Sequence, residues 1–422
     1  MKKVLALLLS LGLVLSACGG GGQKEADKSS GGEAAAKTKE VTVWLSDSET
    51  KLKEAMQSSV DAFHKSQSEI KVKVEYMDDE SLKTKIKVAG AGGEMPDIFN
   101  YWSGEQFNSM VKAGVIADIS DQILNDQAFV SNFAAGAIDA GKIDGKLYSI
   151  ASGSSNVVFY YNKKIFEENG IAVPTTWSEL MAAVEKLKAA KVTPIAVGAK
   201  DRWPLLFYFA YLSNRIGGTE PFMNAAANKG DFTEPTFVEA GQKLQDLAKA
   251  GAFGDGFLGM ASAQSDAAFQ SGKAAMILMG DWSLGTYADS GIDLGYFPFP
   301  AVENGKGDAA LMHGGYGGIY TVSASADKDA ATKFLKFILT PEQRKNYVVA
   351  VGAPSSIKVN LEGTDINPIV ADYLSNIGSV ASGYFPYFDQ AIDAKRSEQI
   401  LNTVVSIVAG APDIKAELAK IK

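Results

Sequence analysis

The sequence predicts an α/β fold with a largely parallel sheet, because strand and helix patterns alternate from the start of the folded part. Apolar and polar residues alternate as in a strand at Val41–Leu45, and apolar residues then recur at helical spacing over Leu52–Phe63. A second strand pattern at Ile70–Tyr76 precedes a helix that ends near Gly92, and Asp97–Phe99 indicates a short buried strand. This alternation is typical of α/β domains.

Later elements are marked by helix caps and by one long strand pattern. Thr176–Glu179 and Thr340–Gln343 both match the capping box that begins a helix, and Pro341 takes the first helical position of the second. Between Tyr148 and Tyr160, strand-forming residues flank a centre of Gly and Ser residues. This pattern predicts a strand that crosses between two bodies.

The N-terminus has the pattern of a secretory signal. A basic start precedes an apolar run, Val4–Leu15, which is shorter than the roughly 20 apolar residues of a membrane-spanning helix. The sequence Leu15–Cys18 resembles the lipobox of bacterial lipoproteins. That resemblance implies a signal peptide at 1–17, cleavage before Cys18 and acylation of its thiol. A plain secreted protein in which Cys18 has no role is the alternative.

Residues 18–39 are expected to form a flexible linker that is lipid-anchored at its first residue, because their Gly, Ser, Lys and Glu residues bury too little apolar surface to fold. Such a coil spans roughly 25 Å. The body that follows has about 383 residues, which is more than one core usually organises, so two lobes are expected. Loss of Lys2 and Lys3 with the signal takes the net charge from −8 to −10. An acidic body argues against nucleic acid or anionic lipid as a partner.

The residue types that catalysis needs are scarce. His64 and His313 are the only histidines and Cys18 is the only cysteine. The sequence therefore offers few of the side chains that a transition-metal site or a Ser-His-Asp triad requires. The run Gly314–Gly318 lacks the Lys of a phosphate-binding loop, and Asp78–Glu80 is interpreted as a solvated turn. A pair of catalytic carboxylates, as in glycosidases, stays open, although no pair stands out. We therefore expect no enzymatic activity, no metal and no cofactor.

Aromatic residues in predicted loops are the strongest functional signal. Each alone is as consistent with a hydrophobic core as with a site. Together they indicate a ligand cleft, since ligands of open α/β sheets bind beyond the carboxyl ends of the strands. Aromatic faces pack against the C–H faces of sugar rings, while carboxylates and amides bind hydroxyl groups. The residues are Tyr101, Trp102, Trp203, Trp282, Tyr316, Tyr384 and Phe385.

Several further segments carry recognisable patterns in a fixed order. They are Ile143–Tyr148, Tyr160–Phe166, Pro174–Leu180, Ala268–Trp282 and Gly314–Glu342. The patterns include Asp-Gly-Lys-x-Tyr, Tyr-Asn-Lys, Pro-Thr-Thr-Trp-x-Glu-Leu and Phe-x-x-Gly-x-x-Ala-Met. In this order they resemble the extracellular solute-binding proteins, family 1, which serve ABC sugar importers and include the maltodextrin-binding protein. The match covers nearly all of the mature body.

This resemblance implies a two-lobed, periplasmic-binding-protein-like fold of type II, in which each lobe has a mostly parallel sheet flanked by helices. It implies three crossings between the lobes, near Ile150–Asn156, near Met276–Gly280 and just before Thr340. The expected boundaries are 40–152 plus 280–338 for the N-terminal lobe and 153–279 plus 339–422 for the C-terminal lobe.

The resemblance also implies a function. The chain is expected to be the substrate-binding lipoprotein of a bacterial ABC importer, which captures a carbohydrate, an oligosaccharide in particular, by hinge closure and delivers it to the permease. It is expected to be a monomer, anchored by lipid on the extracytoplasmic face of the cell membrane. Trp203, Trp282 and Tyr316 match sugar-stacking positions of the family, whereas His313 departs from its pattern and receives no role. The other predicted ligand-binding residues are Asp47, Glu49, Tyr101, Trp102, Asp281, Tyr384 and Asp389.

Two alternatives stay open. The same fold takes solutes that are not sugars, but only Arg202 and Arg215 lie near the candidate loops to bind an anion, so a neutral ligand is favoured. An exported enzyme that acts on glycosides is the second alternative, and it would show turnover.

Overall fold

The computed structural model describes residues 38–46, 50–380 and 383–422. Thr38–Lys422 forms one compact unit. The predicted signal peptide, Cys18 and nearly all of the predicted linker lie outside the described residues. Within those residues, no helix combines the length and the apolar character needed to cross a membrane.

The described residues contain one large sheet and one small one. The strands are β1 (Lys39–Leu45), β2 (Ile70–Tyr76), β3 (Ile98–Tyr101), β4 (Lys142–Ile143), β5 (Lys146–Leu147), β6 (Ser149–Asn162), β7 (Thr193–Ala196), β8 (Ala274–Gly280), β9 (Leu294–Phe297), β10 (Leu311–Val322) and β11 (Gly383–Phe385). Nine of them form one sheet in the order β2-β1-β3-β10-β6-β8-β7, with β11 beside β10 and β9 beside β6, and β4 pairs with β5.

The helices pack around this sheet and connect its strands. They are α1 (Thr50–Ser66), α2 (Asp79–Gly92), α3 (Glu105–Lys112), α4 (Ser120–Ile123), α5 (Gln127–Val130), α6 (Lys163–Glu168), α7 (Trp177–Ala189), α8 (Trp203–Gly217), α9 (Glu220–Ala226), α10 (Pro235–Lys249), α11 (Ser262–Gln270), α12 (Leu284–Ala288), α13 (Lys328–Ile338), α14 (Pro341–Val351), α15 (Pro368–Val380), α16 (Phe388–Ala391), α17 (Ala394–Val408) and α18 (Ile414–Leu418).

The large sheet is parallel towards its two ends and antiparallel in the middle. β1 pairs in parallel with β2 and β3, and β7 pairs in parallel with β8. β10 runs antiparallel to β3 and β6, and β6 runs antiparallel to β8 and β9. The predicted α/β class is confirmed. The sheet is mixed because two long strands, β6 and β10, pass each other at its centre.

Two hydrophobic cores lie on either side of this centre, and the fold is two-lobed. The first core draws its buried residues from 41–150 and 320–357. The second core draws its buried residues from 157–302 and 385–421. A cluster around Tyr160 packs against Trp203 and Trp282, which also pack against the second core.

Three segments of the described chain pass from one core to the other. β6 does so after Ile150, as predicted, and β10 returns antiparallel to it. The third lies between Ile357, in the first core, and Val370, in the cluster around Tyr160. The crossing predicted near Met276–Gly280 is therefore wrong, because all of β8 is buried on the side of the second core.

The crossing predicted just before Thr340 is wrong as well. Leu339 and Ile357 belong to the first core, so the chain has not yet left it there. The lobe boundaries, 40–152 plus 280–338 against 153–279 plus 339–422, stay a prediction. The cores favour placing Leu284 and Leu294 with the C-terminal lobe, since both pack in the cluster around Tyr160.

Local sequence determines where the helices that carry the site begin. Asp78 caps α2 by accepting a hydrogen bond from the backbone N–H of Ser81 (2.9 Å). In α8, every residue of Pro204–Arg215 is buried, which is typical of a helix inside a large domain. Trp203, the first residue of α8, is partly buried and packs against the second core.

The predicted capping box at the start of α7 is present. The backbone N–H of Glu179 donates to Thr176 Oγ1 (3.3 Å), and the backbone N–H of Thr176 donates to Glu179 Oε2 (3.2 Å). Thr340 caps α14 through the first of these two bonds, since its Oγ1 accepts a hydrogen bond from the backbone N–H of Gln343 (3.4 Å).

Thr176→Ala is expected to lower the free energy of unfolding by about 1 kcal/mol, because the first turn of α7 loses its cap. Urea denaturation followed by circular dichroism measures this loss. Thr84→Ala, at an exposed position inside α2, is the matched control and should stay within about 0.5 kcal/mol of the wild type. Equal effects of the two substitutions would contradict the assignment of Thr176 as a stabilising cap.

Candidate ligand-binding cleft

An aromatic wall lies at the edge of the second core. Trp203 begins α8 and Trp282 follows β8, and their ring centroids lie 6.4 Å apart at 61°. Phe207, one turn further along α8, lies 5.3 Å from Trp203 and 6.4 Å from Trp282. Both tryptophans are only partly buried. The sequence predicted both residues, and the structure brings them together.

Two backbone features place these rings. A Cβ on Gly280 would lie 2.0 Å from a ring carbon of Trp282, so only glycine lets the indole fold back over the end of β8. Arg202 adopts φ 66°, a left-handed conformation that is uncommon outside glycine, and it turns the chain into α8. Both tryptophans thus follow tight turns beyond secondary-structure elements of the second core.

His313 lies behind this wall and is part of the core. Its ring centroid is 4.8 Å from Phe385, 4.7 Å from Tyr387 and 5.3 Å from Phe207. Burial lowers the pKa of His313 to about 3, so the imidazole is neutral. His313 received no role from the sequence, and the structure makes it a neutral packing residue beside the crossing strands.

Asp281 was predicted to contact the ligand directly, but the structure buries it. Its side chain is 1% exposed. Asn156 of β6 donates a hydrogen bond to its carboxylate (2.7 Å), and the Tyr373 hydroxyl donates a second one (3.1 Å). Burial raises the pKa of Asp281 to about 7, and these two bonds offset the rise only in part. Asp281 therefore anchors the segment that carries Trp282 to a crossing strand.

The opposite side of the cleft is built on the ends of β1 and β3. Asn100 accepts a hydrogen bond from the backbone N–H of Ser46 (2.5 Å) and donates one to Ser46 Oγ (2.9 Å), which ties the two strand ends together. Tyr101 and Trp102 follow, with ring centroids 5.5 Å apart. Both were predicted as ligand contacts, and both lie at the carboxyl end of a strand.

Charged residues at the start of α2 complete this side. Burial raises the pKa of Asp79 to about 6, and Lys83 together with a hydrogen bond to Ser46 offsets that rise only in part. Lys83 Nζ lies 3.1 Å from Glu80 Oε1 and 4.8 Å from the ring centroid of Trp102. The interpretation of Asp78–Glu80 as a solvated turn is wrong for Asp79, which is half-buried against the end of β1.

The two sides of the cleft touch at Asp389. Burial raises the pKa of this carboxyl group, and the ammonium group of Lys83 opposes that rise. Gln106 of α3 donates a hydrogen bond to the backbone carbonyl of Asp389 (3.2 Å). A Cβ on Gly104 would lie 2.1 Å from the carbonyl oxygen of Gln390, so glycine is needed for this approach. The described structure is a closed cleft.

Tyr316 and Tyr384 take separate positions near the crossing strands. The Tyr316 hydroxyl donates to the backbone carbonyl of Ala135 (2.6 Å), and the ring borders a cavity of about 220 Å³ that Ser103 and Ser149 also line. Tyr384 is 47% exposed, which makes it an aromatic side chain open to solvent. Their predicted role as ligand contacts stays a prediction.

The structure thus places five of the ten predicted residues at the cleft, namely Tyr101, Trp102, Trp203, Trp282 and Asp389. Asp47 and Glu49 lie outside the described residues. The sequence reasoning missed Asp79, Lys83 and Phe207. The position of Asp79 directly after a strand and at a helix start could have indicated it. Within the described ranges, no three His, Cys, Asp or Glu side chains are grouped so as to hold a metal ion.

Comparison with known proteins identifies the family. Residues 46–345 match the family of bacterial extracellular solute-binding proteins, and the chain belongs to this family. The resemblance seen in the sequence motifs is thereby confirmed.

Individual relatives agree with this assignment. The chain is 25% identical over 334 residues to the multiple sugar-binding protein of Streptococcus mutans serotype c, covering 76% of each chain. A structure described for xylan utilization by Caldanaerobius polysaccharolyticus has a TM-score of 0.85 at 29% identity, covering 90% of this chain and 98% of that one. A chitin oligosaccharide binding protein has a TM-score of 0.83 at 26% identity, with 91% and 97% covered.

The buried carboxyl group of Asp281 predicts a pH dependence of stability. Its pKa is about 7 in the folded protein and 3.8 in an unperturbed aspartate, so the folded state retains a proton that the unfolded state has lost. The associated stability is complete below about pH 4 and is lost as the pH rises through about 7, at no more than about 1.4 kcal/mol per pH unit.

Urea denaturation of the wild type and of Asp281→Asn across this range measures the effect. The stability of the wild type should fall relative to that of the variant between about pH 4 and about pH 7 and then level off. Parallel pH profiles for the two proteins would show that Asp281 ionises normally.

Proposed function

We propose that this protein is the substrate-binding protein of an ABC importer, that it captures a carbohydrate, an oligosaccharide in particular, in the cleft and that it delivers this ligand to the permease. The observation that carries the proposal is the partly exposed wall of Trp203 and Trp282, backed by Phe207. The names of the related proteins, which refer to sugars, chitin oligosaccharides and xylan, support the same ligand class.

The chemistry of the cleft fits a polyhydroxylated neutral ligand. Flat aromatic faces pack against the C–H faces of pyranose rings. Asp79, Asp389 and Lys83 supply hydrogen-bond acceptors and donors at the same cleft. A ligand that leaves such groups unpaired loses on the order of 1–3 kcal/mol for each of them. Selectivity for sugars over apolar solutes follows from this cost.

We propose binding without turnover. The cleft has an aromatic wall and a Lys–carboxylate cluster, and its one nearby histidine is a neutral core residue behind that wall. The alternative of an exported enzyme acting on glycosides requires cleavage, so chromatography of an oligosaccharide after long incubation with the protein distinguishes the two functions.

A thermal-shift screen against neutral, anionic and amine-bearing solutes tests the proposed ligand class. A neutral oligosaccharide at a hundred times its dissociation constant should add about 2.7 kcal/mol to the free energy of unfolding and raise the melting temperature. A shift with an anion or an amine and with no neutral sugar would overturn the carbohydrate assignment.

Substitutions in the aromatic wall extend this test. Trp203→Ala and Trp282→Ala should each weaken sugar binding by about 2 kcal/mol, or roughly thirtyfold, because each removes a stacking surface. Phe337→Ala is the matched control, since Phe337 is a partly buried aromatic residue of α13 that packs against Phe63 of the first core (5.3 Å). Its effect on sugar affinity should be small, and a loss as large as that of Trp282→Ala would argue against the wall as the site.

We also propose that the protein is a monomeric lipoprotein, anchored through Cys18 on the extracytoplasmic face of the cell membrane. Two acyl chains suffice for stable anchoring. Mass spectrometry of the mature N-terminus should find diacylglycerol on Cys18, and Cys18→Ser should move the protein from the membrane fraction to the soluble fraction. An unmodified Cys18 thiol in the mature protein would contradict the anchor.

A further inference from the structure

A charged contact joins α2 to the opposite side of the cleft at Arg202. Arg202 Nη2 lies 3.5 Å from Glu80 Oε2, on α2, while Nη1 lies 2.7 Å from Glu398 Oε2 and 3.1 Å from Asn402 Oδ1, on α17. Leu82 of α2 packs in a cluster with Phe99 of β3, whereas α17 is part of the second core. One guanidinium group thus connects two separately packed bodies.

A second charged group lies on the next turn of α2. Lys83 Nζ is 3.1 Å from Glu80 Oε1 on the same helix, and its charge opposes the rise that burial causes in the pKa of Asp389 across the cleft. Burial alone would lower the pKa of Lys83, but the carboxylates of Asp389, Glu80 and Asp79 outweigh it and raise the pKa. The start of α2 therefore presents a negative and a positive charge to partners of opposite sign across the cleft.

The position of Arg202 in the chain connects this contact to the ligand site. Arg202 directly precedes Trp203 and holds a left-handed backbone conformation, φ 66°, that non-glycine residues avoid. Its side chain is only 23% exposed, because it is held by three partners. The same network that closes the cleft thus stabilises the turn that orients the Trp203 ring.

We propose that Arg202 is a positioning residue, and that with Glu80 it forms an electrostatic clasp that stabilises the closed cleft and holds Trp203 in place. This inference rests on the proposed function, since it explains how closure on an uncharged ligand is stabilised. A ligand that contacts both sides of the cleft binds most tightly to the closed form. Its apparent affinity therefore rises with the fraction of molecules that are closed.

The clasp makes closure of the cleft depend on the salt concentration. Arg202, Glu80 and Glu398 are partly exposed, at 23%, 39% and 60%, so dissolved salt screens their attraction. The affinity for an uncharged oligosaccharide should therefore fall as the ionic strength rises. Stacking and hydrogen bonds to an uncharged ligand carry no such dependence of their own.

Isothermal titration calorimetry with the neutral sugar that gives the largest thermal shift measures this dependence, at about 0.02 M and about 0.5 M NaCl. The wild type should bind up to about fivefold more weakly at high salt. Arg202→Met and Glu80→Gln should bind about as weakly at low salt as the wild type does at high salt, with little further change on adding salt. Arg202→Lys, which keeps the charge, should retain most of the salt dependence.

Lys333→Met is the matched control. Lys333 pairs with Glu69 (2.8 Å), and both residues lie in the segments that surround the first core, so this ion pair does not bridge the cleft. The variant should keep the affinity and the salt dependence of the wild type. A wild-type affinity that is independent of salt, or an unchanged salt dependence in Arg202→Met, would overturn the clasp.

A measurement without ligand separates the clasp from the proposed function. In small-angle X-ray scattering, the radius of gyration of the ligand-free wild type should increase from low to high salt. Arg202→Met should have the larger value at low salt and should change little when salt is added. If no sugar binds and these changes appear, the clasp stands and the carbohydrate assignment falls. If a sugar binds and the radius of gyration depends on neither salt nor Arg202, the clasp is wrong and the carbohydrate assignment stands.

Discussion

The antiparallel pairing of β6 with β10 is the constraint on which the rest of this structure depends. Its register runs from His313 opposite Val157 to Thr321 opposite Ser149, so it carries the chain twice between the two cores. The strands and their neighbours approach closely here: a Cβ on Gly314 would lie 2.0 Å from the carbonyl oxygen of Ser155, and one on Gly153 would lie 2.6 Å from that of Pro354. Small residues at the centre let the two cores share a narrow connection, and side chains that we propose to bind the ligand follow the ends of β3 and β8.

Burial shifts the pKa of two titratable side chains beside the crossing strands, His313 and Asp281, towards the neutral form. His313 is neutral because it is enclosed by aromatic rings, and Asp281 retains its proton to about neutral pH because it is buried. A buried and unpaired charge beside the crossing strands would be costly in either position of the lobes. Charged side chains lie instead at the rim of the cleft, where Arg202 pairs with Glu80 of the opposite side.

Patterns that are local in sequence could be predicted, and contacts between distant segments could not. The alternation of strands and helices, the capping box at Thr176 and the crossing after Ile150 each have a local cause, namely side-chain periodicity, a hydrogen bond over one turn and a Gly-Ser centre. The crossing near Met276–Gly280 was implied only by the resemblance to the family, and the apolar sequence of β8 could not correct it, because such a sequence suits any strand that is buried on both faces. Trp203 and Trp282 could be chosen because each follows a predicted loop. Lys83 could not be chosen, since its role depends on Asp389, which approaches it only in the folded chain.

The distance between the two lobes, with and without ligand, tests the central claim most directly. Val88 of α2 (68% exposed) and Met223 of α9 (48% exposed) are suitable positions for spin labels on introduced cysteines, in a Cys18→Ala background. Pulsed electron–electron double resonance measures the distance between the two labels. Without ligand, the distribution of this distance should be broader than in the closed structure or centred at a longer distance. A saturating neutral oligosaccharide should narrow it to the distance of the closed structure. An identical distribution in both samples, from a protein whose melting temperature does rise with that sugar, would show that the β6–β10 connection is not a hinge.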